Sequence, residues 1–315
     1  MAAAFLFLFL HPGMAQMARA QDSQVSADTW QNELLAWRGQ HASGLQKPDG
    51  WLSLAGLEWL QPGENSFGSD SGNRIVLKTA GAPRLGILSL DGETVQLLSP
   101  PDGFPASFLV DGQAAKRQIL RTDNGSDKNA PHLASGTLNM YVIRRATRFA
   151  LRIKDSRSEA LQTFHPLQWY PPDSHFRVTA KWIPYHPAKS ISLETVAGTK
   201  YTQPVPGVAE FMLDGHSYRL EPVVEEGAPE KLFFILRDST SSSETYPACR
   251  FLYTGLPTHG AGQPGELVLD FNRLENPPCA YTAFSTCPLP PPGNRLAAAL
   301  AAGERRYRSV TGEKP

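Results

Sequence analysis

Neither sign of charge is in excess in this sequence of 315 residues, because 30 Lys and Arg residues balance 30 Asp and Glu residues. Binding to a phosphate backbone needs a basic patch or stripe, and no run of like charge provides one. The sequence therefore lacks the electrostatic footprint of a nucleic-acid-binding protein. We expect no nucleic acid among its partners.

Standard catalytic motifs are also missing. There is no Walker loop, no zincin helix and no Cys-x-x-Cys pair. The run from Gly68 to Gly72 superficially matches a nucleophile elbow, but its central residue is Asp70, and no strand-to-helix turn is predicted there. The eight histidines have no ligand spacing. The sequence predicts no cofactor and no dedicated metal site, and it leaves open whether the protein is an enzyme.

Cysteine is scarce, and its odd count limits how it can pair. The three residues are Cys249, Cys279 and Cys287. In an oxidising compartment, the close pair Cys279 and Cys287 is predicted to form a disulfide, which leaves Cys249 as a buried free thiol. Two alternatives stay open for Cys279: a nucleophile activated by a base such as His259, or an inert thiol.

Apolar runs long enough to cross a bilayer are absent. The block from Ala2 to Leu10 is too short to span one. Together with the small residues at Ala18 and Ala20, it predicts a secretory signal peptide at residues 1–20. The alternative is an extended or misassigned start of a cytoplasmic chain. We expect a periplasmic or secreted protein without a membrane span.

The rest of the sequence indicates a mainly β fold. Asp-Gly pairs beginning at Asp91, Asp111 and Asp214 each lie between apolar runs, and this pair is the strongest short-range hairpin signal. A helix is predicted from Ser26 to Ala42. The domains are predicted in chain order: N-terminal helix and linker at 21–48, β-sandwich at 49–155, and a β-barrel-like or sandwich domain at 156–315 that ends in a second short helix.

The most distinctive segment runs from Glu266 to Tyr307. A strand-like run there is followed by a loop rich in proline, and each proline ring fixes φ and removes a hydrogen-bond donor. The loop contains two of the cysteines and ends at Asn294, where the alanine-rich C-terminal helix is predicted to begin. A stiff loop of this kind is the first place to look for function.

Several motifs in this segment carry a resemblance to a known family. They are Asn276-Pro-Pro-Cys-Ala, Thr286-Cys-Pro-Leu-Pro-Pro-Pro and Asn294-Arg-Leu, together with Val142-Ile-Arg-Arg upstream. With these motifs the chain resembles the prokaryotic family called domain of unknown function 1684, over roughly Gly50 to Tyr307. The resemblance implies membership of that family and carries no agreed activity with it.

A second resemblance lies in the first half. The runs Phe67-Gly-Ser-Asp-Ser-Gly-Asn-Arg and Phe108-Leu-Val-Asp-Gly-Gln are similar to segments of a forkhead-associated domain, a β-sandwich that binds phosphothreonine peptides. In that family an arginine after the glycine contacts phosphate, whereas Ser69 stands in its place here. The resemblance implies a similar sandwich, but phosphopeptide binding is not expected without the guanidinium fork. A Gly-rich turn of any β-sandwich is the alternative explanation.

Polar residues interrupt the strand-like segments of the second half. We predict that one ligand-binding pocket is lined by Tyr246, Arg250, Asp270, Asn272 and Asn276. An arginine facing an aspartate in a cavity must be paired, because an isolated buried charge is costly. Such a pair also binds a ligand carboxylate or hydroxyl. An ordinary structural ion pair stays open as the alternative.

Two functions therefore remain open. The first is an exported protein that binds or acts on a small polar molecule in a pocket of its second domain. The second is a non-enzymatic envelope or interaction module in which the proline loop is a structural brace. A pocket with several unpaired polar groups favours the first, and a loop that only plugs the end of the domain favours the second.

Overall fold

The computed structural model describes residues 12–124, 129–225 and 227–308, with side chains from residue 27 onward. The chain divides into two compact units, residues 1–41 and 42–315. Residues 1–11 of the predicted signal peptide lie outside the described residues. Helix α1 (Pro12–Leu45) begins directly after them. It is 34 residues long, so it contains the predicted helix and extends it toward the N-terminus.

The sequence explains the length and the limits of α1. Proline is favoured in the first turn of a helix, where its missing N–H would have no intrahelical partner. The residues that follow are rich in Ala, Met, Gln and Arg, which are strong helix formers. Pro48 lies three residues after the end of the helix, and the residue before a proline is disfavoured in helical conformation. The prediction of a short N-terminal helix is therefore wrong in its length.

The remaining structure is mainly β, as predicted, with 41% of residues in strands and 15% in helices. Eleven strands precede residue 156 in the described part of the chain. They are β1 (Leu54–Trp59), β2 (Gly63–Gly68), β3 (Ile75–Val76), β4 (Gly86–Asp91), β5 (Thr94–Leu98), β6 (Leu109–Val110), β7 (Gln113–Ala114), β8 (Gln118–Leu120), β9 (Leu133–Ser135), β10 (Leu138–Arg145) and β11 (Arg148–Asp155).

These strands form two sheets that share one hydrophobic core. The six-stranded sheet has the order β1-β11-β10-β9-β6-β7, and the five-stranded sheet has the order β3-β2-β4-β5-β8. Buried Leu88 and Leu97 from the second sheet pack in the same cluster as Met140 and Leu151 from the first. Two sheets with a common core are a β-sandwich. Its resemblance to a forkhead-associated domain stays a prediction.

Strands β10 and β11 each present two different faces, because successive side chains of a strand point to opposite sides. On β11, Phe149, Leu151 and Ile153 pack in the sandwich core. The residues between them therefore lie on the outer face of the six-stranded sheet. Arg152 is one of these, and Arg145 on β10 lies on the same outer face, since Leu138, Met140 and Val142 belong to the core.

The second half begins with a short helix, α2 (Glu159–Gln162), and continues with six described strands. They are β12 (Arg177–Glu194), β13 (Lys200–Leu213), β14 (His216–Leu220), β15 (Leu232–Leu236), β16 (Arg250–Thr254) and β17 (Gly265–Asp270). A four-stranded antiparallel sheet has the order β14-β13-β12-β17, and β15 pairs with β16. These sheets do not close into a barrel in the described residues. Of the two forms predicted for the second half, a barrel or a sandwich, the structure agrees with the sandwich-like one.

The Asp-Gly hairpins form as predicted. Asp111 and Gly112 have φ values of 49° and 77° and connect β6 to β7, and Asp214 and Gly215, at 51° and 76°, connect β13 to β14. Positive φ at both positions is what a type I′ turn requires. At the first hairpin, Asp91 pairs with Thr94, so the turn begins one residue later than Asp91 itself.

The predicted C-terminal helix is wrong. Residues 295–308 are not helical, and only a 3-10 turn at Pro292–Asn294 precedes them. Their backbone bonds to other segments instead: Leu296 N–H donates to the carbonyl of Arg237 at 2.7 Å, and Ala298 accepts from Ser239 N–H at 3.0 Å. Leu296, Leu300 and Ala302 are buried in the core of the second half. Tertiary packing therefore overrides the helix propensity of this alanine-rich run.

Candidate functional site

A cavity of about 330 Å³ lies between the outer face of the six-stranded sheet and the second half of the chain. The sheet contributes Arg145 and Arg152 to its lining. The second half contributes two acids, Glu225 and Glu275, together with several hydroxyl-bearing and aromatic side chains. Ligand sites in proteins are concave and have volumes of this size. All of these residues belong to the compact unit 42–315.

Arg152 is a buried charged group in the lining of this cavity. Its residue is 3% exposed, and its Nε atom has no hydrogen-bond partner among the described residues. On the sheet it is paired in register with Tyr141 of β10 and Leu57 of β1, which offer it no charge of opposite sign. A buried charge normally has an ionic partner, because desolvation of an unpaired charge lowers the stability of the fold. The Nε of Arg152 is thus a buried donor without an acceptor in the part of the chain that the structure describes.

Arg145, by contrast, has partners of its own. One Nη atom donates to the backbone carbonyls of Asp123 and Arg144, at 2.9 and 2.8 Å, and lies 3.6 Å from the Asp123 carboxylate. Burial lowers the pKa of Arg145, and the positive charge of nearby Arg152 lowers it further. The two guanidinium groups therefore repel each other, and among the described residues only Arg145 has an ionic partner.

The acidic wall influences the neighbouring Tyr201. Burial raises the pKa of Glu225, an effect that Lys231 opposes. Burial and the charge of Glu225 raise the pKa of Tyr201 to about 12, against the opposing charge of Arg145. Tyr201 is therefore a hydroxyl donor at neutral pH. Tyr201 is therefore within electrostatic reach of both the acidic and the basic side of the cavity.

The floor of the cavity is aromatic. The rings of Phe233 and Tyr253 are stacked with centroids 4.5 Å apart, and Phe251 meets Phe233 edge to face at 4.8 Å. These residues come from the paired strands β15 and β16. Tyr253 nevertheless keeps 39% of its surface accessible. Phe233 and Phe251 are only 3% and 5% exposed, so Tyr253 is the ring of this cluster that is accessible.

The residues predicted to line one pocket lie elsewhere, with one exception. Arg250 is fully buried, and its ionic partner is Asp238 at 3.2 Å, not Asp270. Its guanidinium also donates to the backbone carbonyls of Leu300, Ala302 and Glu304. The predicted pairing of Arg250 with Asp270 is therefore wrong. It failed because Arg250 lies on β16 and Asp270 on β17, which belong to different sheets.

Asn272 and Asn276 are both buried and brace the backbone. The side chain of Asn272 donates to the carbonyl of Asp173 at 2.8 Å and accepts from its N–H at 2.9 Å, and it also donates to the Asp270 carboxylate at 3.0 Å. Asn276 donates to the Glu304 carboxylate at 2.8 Å. Neither amide, nor Asp270, lines either of the two cavities described here. Ligand binding by these residues stays a prediction that their contacts do not favour.

Tyr246 is the exception, because it lines a second, more open cavity of about 370 Å³. Its hydroxyl donates to the Cys279 carbonyl at 2.9 Å. Cys279 lines this second cavity, Cys287 lines the first, and Ser285 lines both. This part of the proline loop is therefore the wall that separates the two cavities.

The three cysteines are buried free thiols in this structure, so the predicted disulfide is not formed in it. Cys279 N–H donates to Cys287 Sγ at 3.2 Å, and Cys249 Sγ donates to the Pro288 carbonyl at 3.5 Å. A hydrogen bond with Cys249 raises the pKa of Cys279 to about 12, and burial raises that of Cys287. Protonated thiols are poor nucleophiles, so the environment does not support a nucleophilic role for Cys279.

Two further observations concern metal ions and membranes. In the part of the chain that the structure describes, no three or more His, Cys, Asp or Glu side chains come together as a metal site. Within the same residues, no helix has both the length and the apolar character needed to cross a membrane.

The sequence reasoning missed Arg145 and Arg152. Their positions on β10 and β11 alternate with core residues, which is also the pattern of an ordinary solvent-exposed strand face. In the structure, Arg152 and its neighbour Ala150 both lie on this face and are both buried, so the face is covered. Nothing in the sequence shows that the second half provides that cover.

The fold and the cavity define a mainly β protein with a charged internal site. Residues 162–305 match the model of the family described as protein of unknown function (DUF1684), so this segment of the chain resembles that family. Arg145 and Arg152 precede the matched segment, so the cavity combines residues from inside and outside it.

A solved structure is also similar in sequence. The solution NMR structure of an uncharacterized protein from Haloarcula marismortui is 31% identical to this chain, and the match covers 46% of this chain and 78% of that one with a TM-score of 0.38. No curated protein matches the chain.

Proposed function

We propose that the protein binds a small anionic molecule in the cavity of about 330 Å³, with Arg152 as the group that contacts the negative charge. The observation that carries this proposal is the burial of Arg152 without a hydrogen-bond partner for its Nε. An empty site would leave this charge both desolvated and uncompensated, which is costly. An anionic ligand supplies the missing acceptor.

The proline loop supports the same proposal. Pro278, Thr286, Cys287 and Pro288 contribute to the lining of the cavity. The end of the loop is fixed by Asn294, whose side-chain amide donates to the carbonyls of Glu221 and Ile235 at 2.8 and 3.0 Å. A loop held in this way gives a binding site fixed geometry. In this proposal the loop has both of the roles left open by the sequence. It is a structural brace, and it also forms part of the wall of the binding site.

Export and a disulfide are part of the proposal. The apolar block and the small residues before residue 21 support removal of a signal peptide and a periplasmic or secreted location. In that compartment, oxidation would join Cys279 to Cys287, whose contact through the Cys279 N–H brings the two residues together. The cross-link would then rigidify the wall between the two cavities.

The test compares the binding of anions to the wild type and to two variants. Sodium benzoate, acetate and phosphate are titrated at constant ionic strength while amide resonances are followed by NMR. In Arg152→Met the cavity loses the cation that is proposed to contact the anion, and Arg145 remains. In Arg148→Met the same strand loses an exposed arginine that stacks 3.8 Å from the Trp59 ring. We expect at least one anion to saturate the wild type and Arg148→Met, and none to saturate Arg152→Met. The proposal is rejected if none binds the wild type, or if Arg152→Met binds as tightly.

A further inference from the structure

The charge balance of the cavity restricts its ligand to one negative charge. Arg145 is neutralised by Asp123 and by two backbone carbonyls. Only the charge of Arg152 is left without an ionic partner among the described residues. Glu225 and Glu275 line the same cavity, and like charges brought together in a partly desolvated site repel strongly. A dianion would therefore meet one free cation and two acids.

The geometry of arginine favours a particular kind of monoanion. A guanidinium group is planar and presents a rigid fork of donors, which matches the two oxygens of a carboxylate. Because Arg152 lies on the central part of a strand that is paired on both sides, the backbone that carries it is held in place. Carboxylate recognition is the chemistry for which such a planar donor is best suited.

The remainder of the cavity favours a flat apolar body. Phe233, Phe251 and Tyr253 form a continuous aromatic cluster on its floor, and Tyr201 lies beside them. Aromatic rings stack well on other rings, in offset or edge-to-face arrangements. An acetate-sized ion at Arg152 would leave the Tyr253 ring, which is 39% exposed, facing water in a cavity of about 330 Å³. A ring attached to the carboxylate would cover it.

From this juxtaposition we infer that the ligand is a small monocarboxylate with a planar apolar body, its carboxylate on Arg152 and its ring on the Phe233–Phe251–Tyr253 cluster. The inference rests on the proposed function, because it specifies what occupies the same cavity. It names a chemical class, and benzoate is the simplest probe of that class.

Four probes separate the parts of this inference. Benzoate has the charge and the ring, acetate has only the charge, benzamide has only the ring, and phenylphosphonate has the ring with an anionic group that can carry two charges. All are titrated against the full chain at pH 8 and constant ionic strength. We expect benzoate to bind at least tenfold more tightly than each of the other three, which corresponds to about 1.4 kcal/mol in binding free energy.

A pair of variants tests the aromatic floor. Tyr253→Leu removes an accessible ring from the cavity, whereas Phe284→Leu removes a ring of similar exposure, 37% against 39%, that does not line this cavity. We expect Tyr253→Leu to weaken benzoate at least threefold and to leave acetate unchanged, and Phe284→Leu to change neither. Thermal unfolding of both variants shows whether they are folded.

The outcomes also distinguish this inference from the proposed function. If phenylphosphonate or acetate binds as tightly as benzoate, and binding still requires Arg152, the inference is overturned while an anion site remains. If benzamide equals benzoate, the charge has no role and both statements fail. If Tyr253→Leu weakens acetate and benzoate equally, the ring contact is rejected in favour of a general disturbance of the site.

Discussion

Arg145 and Arg152 lie on the same outer face of two paired strands, and after burial it is the charge of Arg152 that most lowers the pKa of Arg145. Arg145 has the Asp123 carboxylate 3.6 Å away, and Arg152 has no ionic partner among the described residues. Two cations on one covered sheet face raise the free energy of the empty protein. Functional sites commonly hold such destabilising groups, because binding depends on them.

The first prediction concerns the stability of the empty protein. Replacing Arg152 by Met keeps an unbranched apolar stem and removes the buried charge, so the free energy of unfolding should rise. An unsatisfied buried polar group costs about 1–3 kcal/mol, and we expect a gain within this range. Denaturant unfolding of the ligand-free protein measures it.

The control for this prediction is Arg148→Met. Arg148 is exposed and stacks on Trp59, so its loss should destabilise the protein by no more than about 1 kcal/mol. A clear loss of stability in Arg152→Met would mean that Arg152 is already satisfied in the ligand-free protein, and it would remove the argument for a missing anion.

The second prediction concerns the ion pair of Arg250 with Asp238. Both side chains are 0% exposed, and the guanidinium also fixes the C-terminal segment through three backbone carbonyls. Asp238→Asn leaves Arg250 buried without a counter-charge, and breaking a buried pair in this way costs about 3–5 kcal/mol.

As the matched control, Glu93→Gln breaks a partly exposed ion pair with Arg144 and should cost less than about 1 kcal/mol. Equal effects in thermal unfolding would contradict the central role of Arg250.

The parts of the fold that depend on local sequence were predictable. The Asp-Gly turns require positive φ at both positions, which is a local property, and two of them form at the predicted residues. The apolar run from Leu232 to Leu236 predicts a strand, and β15 has the same bounds. The C-terminal helix was mispredicted because the alanine-rich run from Ala297 to Ala302 forms bonds with the distant segment at Arg237 and Ser239. Local propensity contains no information about such a partner.

The candidate site could not be predicted for a related reason. The sequence predicts that Arg250 and Asp270 are neighbours because both alternate with apolar residues in strand-like segments. Which strands pair cannot be read from the sequence, and the two residues lie in different sheets. Arg152 was overlooked because a cation that alternates with Leu151 and Ile153 is typical of a solvated sheet face. Its burial depends on the packing of residues more than forty positions away, such as Thr195 and Tyr201.

The third prediction separates bracing from binding at Asn272. Its side chain makes two hydrogen bonds to the backbone of Asp173 and one to the Asp270 carboxylate, and it is 0% exposed. Asn272→Ala leaves these groups unsatisfied and should lower the free energy of unfolding by about 1–3 kcal/mol. Benzoate affinity should stay unchanged, because Asn272 does not line the cavity of Arg152. Unchanged stability with lost affinity would instead restore the original prediction of a ligand-binding role.

The fourth prediction concerns the cysteines of the exported protein. Peptide mapping without reduction should show Cys279 joined to Cys287, with Cys249 as a free thiol. Closing this short loop is expected to stabilise the protein by about 2–3 kcal/mol. Cys249→Ala should retain the cross-link, and Cys287→Ala should remove it. A Cys249–Cys279 link, or free thiols in all three positions of the secreted protein, would disprove the pairing.

The last prediction concerns pH and Glu225. Burial raises the pKa of Glu225, so between its unfolded and folded pKa values the native state binds more protons than the unfolded state. Stability contributed by the protonated carboxyl is present below the unfolded pKa, and it is lost as pH rises through the raised folded pKa. Glu225→Gln cannot ionise and does not lose this stability. The difference in free energy of unfolding between the variant and the wild type should therefore grow with pH between the unfolded and folded pKa values of Glu225, and then level off. We expect a gain below about 1.4 kcal/mol, the free energy of one pKa unit, because Glu225 is only partly buried.

Benzoate should also bind the variant more tightly at pH 7, since a negative charge has left the cavity. Glu230→Gln, a change of the same kind at an exposed residue nearby, is the control. Parallel stability curves for Glu225→Gln and the wild type across pH 4–8 would show that this carboxyl does not titrate with a raised pKa.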